Sequence, residues 1–171
     1  MRFVNVFDLD CTLIDSSHRI NSTGNPDDGL DLDYWVDNST LENIMKDKIL
    51  PLVDVFHEFS KTNFTNIAVT ARNMTEGDYE YLKHHDLHFD MILHRGDSQE
   101  LDHILKERKL DKLFAESDLK PFLAFDDKED NLDIFKQFGF TCINALDINK
   151  VMMGGTDVPC SHKPFIEKEN E

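Results

Sequence analysis

The spacing of apolar residues along the chain predicts alternating strands and helices. Residues 2–8 alternate, then turn apolar and end in acids, which predicts a buried first strand. Residues 15–39 are rich in Asp, Asn, Ser and Gly, with apolar weight gathered at Tyr34, Trp35 and Val36, and predict a long loop or small flap. Helical spacing resumes over 40–61 at Leu41, Ile44 and Met45, then at Leu52, Val55, Phe56 and Phe59. Pro51 divides this run, so two helices are expected, the second started by the proline. Further strands are predicted at 65–70, 89–93, 121–125 and 140–143, with helices at 75–86, 98–110 and 128–138 and a turn at Gly139. Strands that alternate with helices predict an α/β fold with a parallel sheet covered on both faces. Beyond about residue 146 the periodicity fails and Gly154-Gly155 intervenes, so 147–171 is expected to be a tail and 1–146 one domain.

With 171 residues there is room for one domain with a full core, and an apolar share of 40% suits it. The chain holds no apolar run near the roughly 20 residues that a membrane helix needs. Its start reads as a strand rather than a leader. Three cysteines without metal-like spacing (Cys11, Cys142, Cys160) fit a reducing cytoplasm. The net charge of −16 argues against extended nucleic-acid binding. It does not forbid a phosphate ester, because a bound cation and a few basic groups can reverse the field inside one pocket.

Four groups of chemically capable residues fall at predicted strand ends. Asp8-Leu9-Asp10-Cys11-Thr12 follows the first strand, and its paired carboxylates can hold a metal, attack, or carry protons. Thr70-Ala71-Arg72 follows the second and precedes a helix, where a hydroxyl and free amides make an anion site or Thr70 simply caps the helix. Lys106 lies one turn after Asp102, a spacing that also suits a surface ion pair. Asp126-Asp127 ends the fourth strand. Ligands gather outside the carboxyl ends of parallel strands. If strands one and four are neighbours, Asp8, Asp10, Asp126 and Asp127 converge, and so many carboxylates would need a divalent cation. Oxygen-only ligation points to Mg²⁺.

In this order and on these elements, the groups resemble the four motifs of haloacid dehalogenase (HAD) superfamily phosphatases, over roughly residues 2–145. More narrowly, Arg19, Arg72 and the Gly96-Asp97 lead into Asp102 and Lys106 resemble the 3′-phosphatase domain of phage polynucleotide kinase–phosphatases. The resemblance implies a three-layer Rossmann-like fold with about five parallel strands and no large cap. It implies Asp8 as nucleophile and Asp10 as the acid and base, with its backbone carbonyl on the metal. Thr70 and Lys106 would hold the phosphoryl oxygens, and Asp126 and Asp127 would complete or orient the Mg²⁺ sphere. Thr12, Arg19 and Arg72 would line the substrate, and Asp102 would orient Lys106.

The family most often has Gly where this chain has Cys11, so a positive φ there would strain the cysteine. Residues 15–39 would screen the site as a flap, with Tyr34 and Trp35 stacking on a base or packing the flap to the core. His84, His85 and His88 read as a solvated helix tail. The expected activity is phosphomonoester hydrolysis on a nucleotide or nucleic-acid end. The near alternative is a deoxyribonucleotidase acting on nucleoside monophosphates, and the distant one a non-catalytic binding protein with the same fold.

Overall fold

The computed structural model of the protein describes residues 2–19 and 32–158. In chain order the elements are β1 (Arg2–Phe7), β2 (Ile14–Asp15), a 3₁₀ turn (Ser17–Arg19), α1 (Leu32–Asp37), α2 (Leu41–Ile44), β3 (Lys48–Ile49) and α3 (Leu52–Ser60). There follow β4 (Thr65–Val69), α4 (Glu76–His84), β5 (Met91–Leu93), α5 (Asp102–Ala115), β6 (Leu119–Asp126), α6 (Glu129–Gln137), β7 (Thr141–Asn144) and α7 (Ala145–Met152). Five strands form one parallel sheet in the order β5-β4-β1-β6-β7, so the first and fourth predicted strands, β1 and β6, are indeed neighbours. The α/β class and the two-faced sheet are as the periodicity predicts.

Successive strand residues serve opposite faces, as a pleated strand requires. Val4, Val6, Ile67, Val69 and Ala124 join Leu110, Leu132 and Phe135 of α5 and α6 in one buried cluster. Phe7, Ala68 and Phe125 join Leu52, Phe56, Tyr81 and Leu82 of α3 and α4 in the other. Phe7 stacks on Phe125 of the adjacent strand at 4.8 Å between centroids and meets Phe56 edge-on at 5.3 Å. That packing fixes the end of β1, and with it the position of Asp8.

The structure departs from the periodicity in three places. Within 15–39, α1 forms where a loop was expected, and the centre of the expected flap, residues 20–31, lies outside the described residues. The helix expected before Pro51 shrinks to the single turn α2, after which Lys48–Ile49 pairs antiparallel with Ile14–Asp15. Gly77 lets α2 sit close on α4, because a Cβ there would lie 3.0 Å from Ile44 Cδ1 and 3.3 Å from Leu41 Cα. Finally, ordered structure runs past residue 146, since α7 spans Ala145–Met152; residues 159–171 of the expected tail lie outside the described residues.

Asn149 explains why α7 is part of the core. Its fully buried amide accepts from Leu52 N at 2.8 Å and donates to the Thr12 carbonyl at 2.9 Å. Asn149→Ala leaves both backbone groups buried and unpaired, and is expected to cost about 2–4 kcal/mol. The measurement is a lower urea midpoint at unchanged m-value.

Candidate active site

The residues that end the central strands meet at one point. Asp8 follows β1 and continues its ladder, its N–H donating to the Phe125 carbonyl at 2.9 Å. The chain then turns tightly, with the Leu9 carbonyl accepting from Thr12, Leu13 and Ile14 amides. Cys11 sits in that turn at φ +60°, the left-handed region, and so carries the strain expected of a side chain at a glycine position. Asp126 ends β6, and Asp127 follows it. One carboxylate oxygen each from Asp8, Asp126 and Asp127 lies within 4.8 Å of the other two.

Lys106 reaches into this cluster from α5. Its ammonium is 1% exposed and donates to Asp8 Oδ1 at 2.9 Å and Asp126 Oδ2 at 2.7 Å, with Asp102 Oδ1 3.6 Å away. Asp102 Oδ2 is held by Lys128 Nζ at 3.0 Å and Asn131 Nδ2 at 3.1 Å, and Asn131 also donates to Asp126 Oδ1 at 2.9 Å. Asp102 therefore lies 3.6 Å from the Lys106 ammonium, inside a network that includes two residues not singled out from sequence. Lys128 could have been found as the neighbour of Asp127; Asn131 carries no signal beyond its helical distance from it.

Charge balance sets the chemistry of this cluster. Four carboxylates (Asp8, Asp102, Asp126, Asp127) meet two ammonium groups (Lys106, Lys128), an excess of two negative charges. Burial pushes the Asp8 carboxyl well above the usual range, against the pull of Lys106 and with a push from Asp126 and Asp127. Burial and then Asp126 raise Asp127 to about 7. Burial opposes charge on Lys106, but Asp126, Asp8 and Asp102 outweigh it and raise the ammonium above its ordinary value. Burial would likewise raise Asp102, yet Lys106 and Lys128 hold it below. An all-oxygen cluster in deficit by two positive charges fits a hard divalent cation such as Mg²⁺. Asp8, Asp126 and Asp127 are the residues that would hold it.

Asp10 and the two arginines form a second network. Arg72 Nη2 and Nε bind the Asp10 carboxylate at 2.5 and 3.1 Å, Arg72 Nη1 binds Asp78 at 2.6 Å, and Asp47 Oδ2 is 3.6 Å from Nη2. Burial favours the neutral form of Asp10, but Arg72 outweighs it and holds the carboxyl at about 2. Arg19 grips both oxygens of the fully buried Asp47 at 2.9 and 2.7 Å and donates to Ser39 Oγ at 3.0 Å. The Trp35 ring lies 4.3 Å from the Arg19 guanidinium and 5.8 Å from that of Arg72. Of the two readings of Trp35, this contact is the packing one. Both arginines reach the site region, but each is buried and ion-paired.

Thr70 is 1% exposed and its hydroxyl accepts from Arg72 N at 3.1 Å. It is not a helix cap: α4 begins six residues later behind a Thr75–Asp78 capping box, so Thr70 does not sit at a helix N-terminus. Thr12 is fully buried, with its carbonyl bound by Asn149 and its hydroxyl unpaired among the described residues. His85 packs on Tyr81 at 4.4 Å, so one of the three histidines is a packing residue rather than a solvated tail. No helix among the described residues is long and apolar enough to cross a membrane.

Residues 1–167 match the family model described as bacteriophage T5 5′-deoxynucleotidase. The 5′-deoxynucleotidase of Escherichia phage T5 is 28% identical over 193 aligned positions, covering 98% of this chain and 76% of that protein. Among solved structures, a haloacid dehalogenase-like hydrolase from Streptococcus pneumoniae superposes with a TM-score of 0.62 at 18% identity, over 84% of each chain. A chain of the Pnkp1/Rnl/Hen1 RNA repair complex gives 0.58 at 17% identity, over 84% of this chain and 42% of that one. These likenesses establish the HAD-type Rossmann-like fold.

Proposed function

The chain belongs to the bacteriophage T5 5′-deoxynucleotidase family, and from that premise we propose that it hydrolyses deoxynucleoside 5′-monophosphates through an aspartyl-phosphate on Asp8. It is a phosphoric monoester hydrolase of HAD type. The observation that supports the reaction is the buried Lys106 bridge between Asp8 and Asp126 at the ends of two neighbouring strands. A lysine so placed draws charge off phosphoryl oxygens while leaving a carboxylate free to attack.

In the first step an Asp8 oxygen forms a bond to phosphorus and the bond from phosphorus to the nucleoside oxygen breaks; Asp10, ionised beside Arg72 in the free enzyme, takes up a proton as the phosphate dianion arrives and gives it to that oxygen. In the second, water attacks phosphorus, gives its proton to Asp10, and the Asp8–phosphorus bond breaks. Lys106 and the Thr70 hydroxyl hold the phosphoryl oxygens throughout. When bound, Mg²⁺ offsets the repulsion between a carboxylate and a dianionic phosphate. Asp126 and Asp127 would hold it together with Asp8.

The family match favours the nucleotidase reading over polynucleotide 3′ ends, and a charge of −16 points the same way, since a single nucleotide is a far smaller anion than an oligomer. The test is phosphate release from 5′- and 3′-mononucleotides of deoxyribose and ribose, and from an oligonucleotide carrying a 3′-phosphate. Deoxynucleoside 5′-monophosphates are expected to turn over fastest, and a chelator to stop every reaction until Mg²⁺ is restored. Preference for the 3′-phosphorylated oligonucleotide would reverse the substrate assignment, and turnover indifferent to chelation would remove the cation from it.

A further inference from the structure

Three donors hold the Asp10 carboxylate. Arg72 Nη2 donates to Oδ1 at 2.5 Å, Arg72 Nε to Oδ2 at 3.1 Å, and Ser16 Oγ to Oδ1 at 2.5 Å. Ser16 is 3% exposed and comes from the short stretch that follows β2. Arg72 is itself held in place. Asp78 takes its Nη1, and Asp78 is fixed in turn by the Thr75 backbone N–H and hydroxyl, both at 2.8 Å. Asp47 lies on the other side and is gripped by Arg19.

Each of the three guanidinium nitrogens of Arg72 therefore donates to a carboxylate, and Asp47, which it shares with Arg19, lies 3.6 Å away. Such an arginine has three of its five N–H groups committed and its charge already met by carboxylates, which leaves it less to offer a phosphate dianion. It does have what a support needs: a planar, bidentate grip that fixes the tilt of one carboxylate. Asp10, two residues after Asp8, keeps 22% of its side chain exposed, so the held group is not sealed off.

We infer that Ser16 and Arg72 are positioning residues that aim the Asp10 carboxylate at the leaving oxygen, with Asp47 and Asp78 anchoring Arg72. The inference rests on the reading of Asp10 as the proton carrier. It replaces the expectation that Arg72 contacts substrate, and it gives Ser16, Asp47 and Asp78 work that no sequence motif assigns them. The first step shows the consequence most directly. A nucleoside alkoxide leaves poorly unless Asp10 delivers a proton as the phosphorus–oxygen bond breaks, whereas nitrophenolate leaves without one.

The experiment measures kcat/KM, which reports the first phosphoryl transfer, for a deoxynucleoside 5′-monophosphate and for nitrophenyl phosphate. Wild type is compared with Arg72→Lys, Ser16→Ala and Asp10→Asn, all with Mg²⁺. Arg72→Lys is expected to lose about 10²-fold on the nucleotide and little on the aryl ester. Ser16→Ala, which removes one hydroxyl and no buried charge, shifts the same ratio by about tenfold and serves if the lysine variant does not fold. Equal losses on both substrates, with a raised KM, would make Arg72 a substrate contact and overturn the inference. Asp10→Asn separates the two levels: if it fails to discriminate between the substrates, the reading of Asp10 itself falls. If Asp10→Asn discriminates and neither Arg72→Lys nor Ser16→Ala does, only the positioning role falls.

Discussion

Asp8→Asn is expected to abolish phosphate release from a deoxynucleoside 5′-monophosphate, a loss of at least about 10⁴-fold of the kind seen when a covalent nucleophile is removed. Stability should move the other way. Asp8 is one of four carboxylates that share two ammonium groups, and burial holds its carboxyl well above the usual range. An amide of the same shape removes one buried negative charge while Lys106 keeps Asp126 and Asp102 as partners. Without divalent cations, at pH 8, the variant should therefore melt above the wild type. With Mg²⁺ the order narrows or reverses, because binding stabilises the native state in proportion to its affinity and the variant has lost a ligand. A variant that turns over near the wild-type rate would remove Asp8 as nucleophile. One that is inactive yet less stable than wild type without cation would mean that the carboxylate is held favourably, contrary to the charge count.

That trade of stability for chemistry also marks what could be read from the sequence. The central strands β1 and β6 are legible because their carboxyl-terminal ends are buried and so appear as apolar runs ending in acids, Val4–Asp8 and Phe122–Asp126. Of the four carboxylates expected to converge, Asp8, Asp126 and Asp127 do, with Lys106 reaching between them, while the Asp10 carboxylate binds Arg72 and Ser16 instead. The β2–β3 pair was not legible, because two-residue strands have no periodicity, and Ile14 and Ile49 are short apolar points among polar residues. Asp47 could not be found either. Its partners Arg19 and Arg72 are distant in the chain, and nothing in the Lys46–Lys48 stretch distinguishes a buried counterion from a surface acid. Asp78 was nearer to reach, since Thr75 and Asp78 have capping-box spacing, but the cap conceals its second bond to Arg72.

Lys106→Met is expected to be the most destabilising substitution in the site, at about 3–5 kcal/mol, the usual cost of removing one partner from a buried ionic network. Methionine fills much of the space of the lysine stem, so the loss is electrostatic: Asp8, Asp102 and Asp126 lose the ammonium that faces all three. The pH dependence follows from the sign of the shifts. Asp127 has its folded value raised to about 7 from an ordinary 3.8, and Asp8 is raised too, so these groups favour folding when protonated. Their contribution is fully present below the unfolded value, near pH 4, and is lost as pH rises through about 7. Removing Lys106 deepens that loss, so the deficit against wild type should be greatest near pH 8 and shrink toward pH 5. Mg²⁺ should recover part of the stability at pH 8 by supplying positive charge to the same carboxylates, while activity stays lost, because the cation does not replace the ammonium on the phosphoryl oxygens. Urea unfolding at both pH values, with and without Mg²⁺, measures each term. A deficit unaffected by pH and by Mg²⁺ would make Lys106 a packing residue, and its bridge between Asp8 and Asp126 would no longer support the catalytic reading.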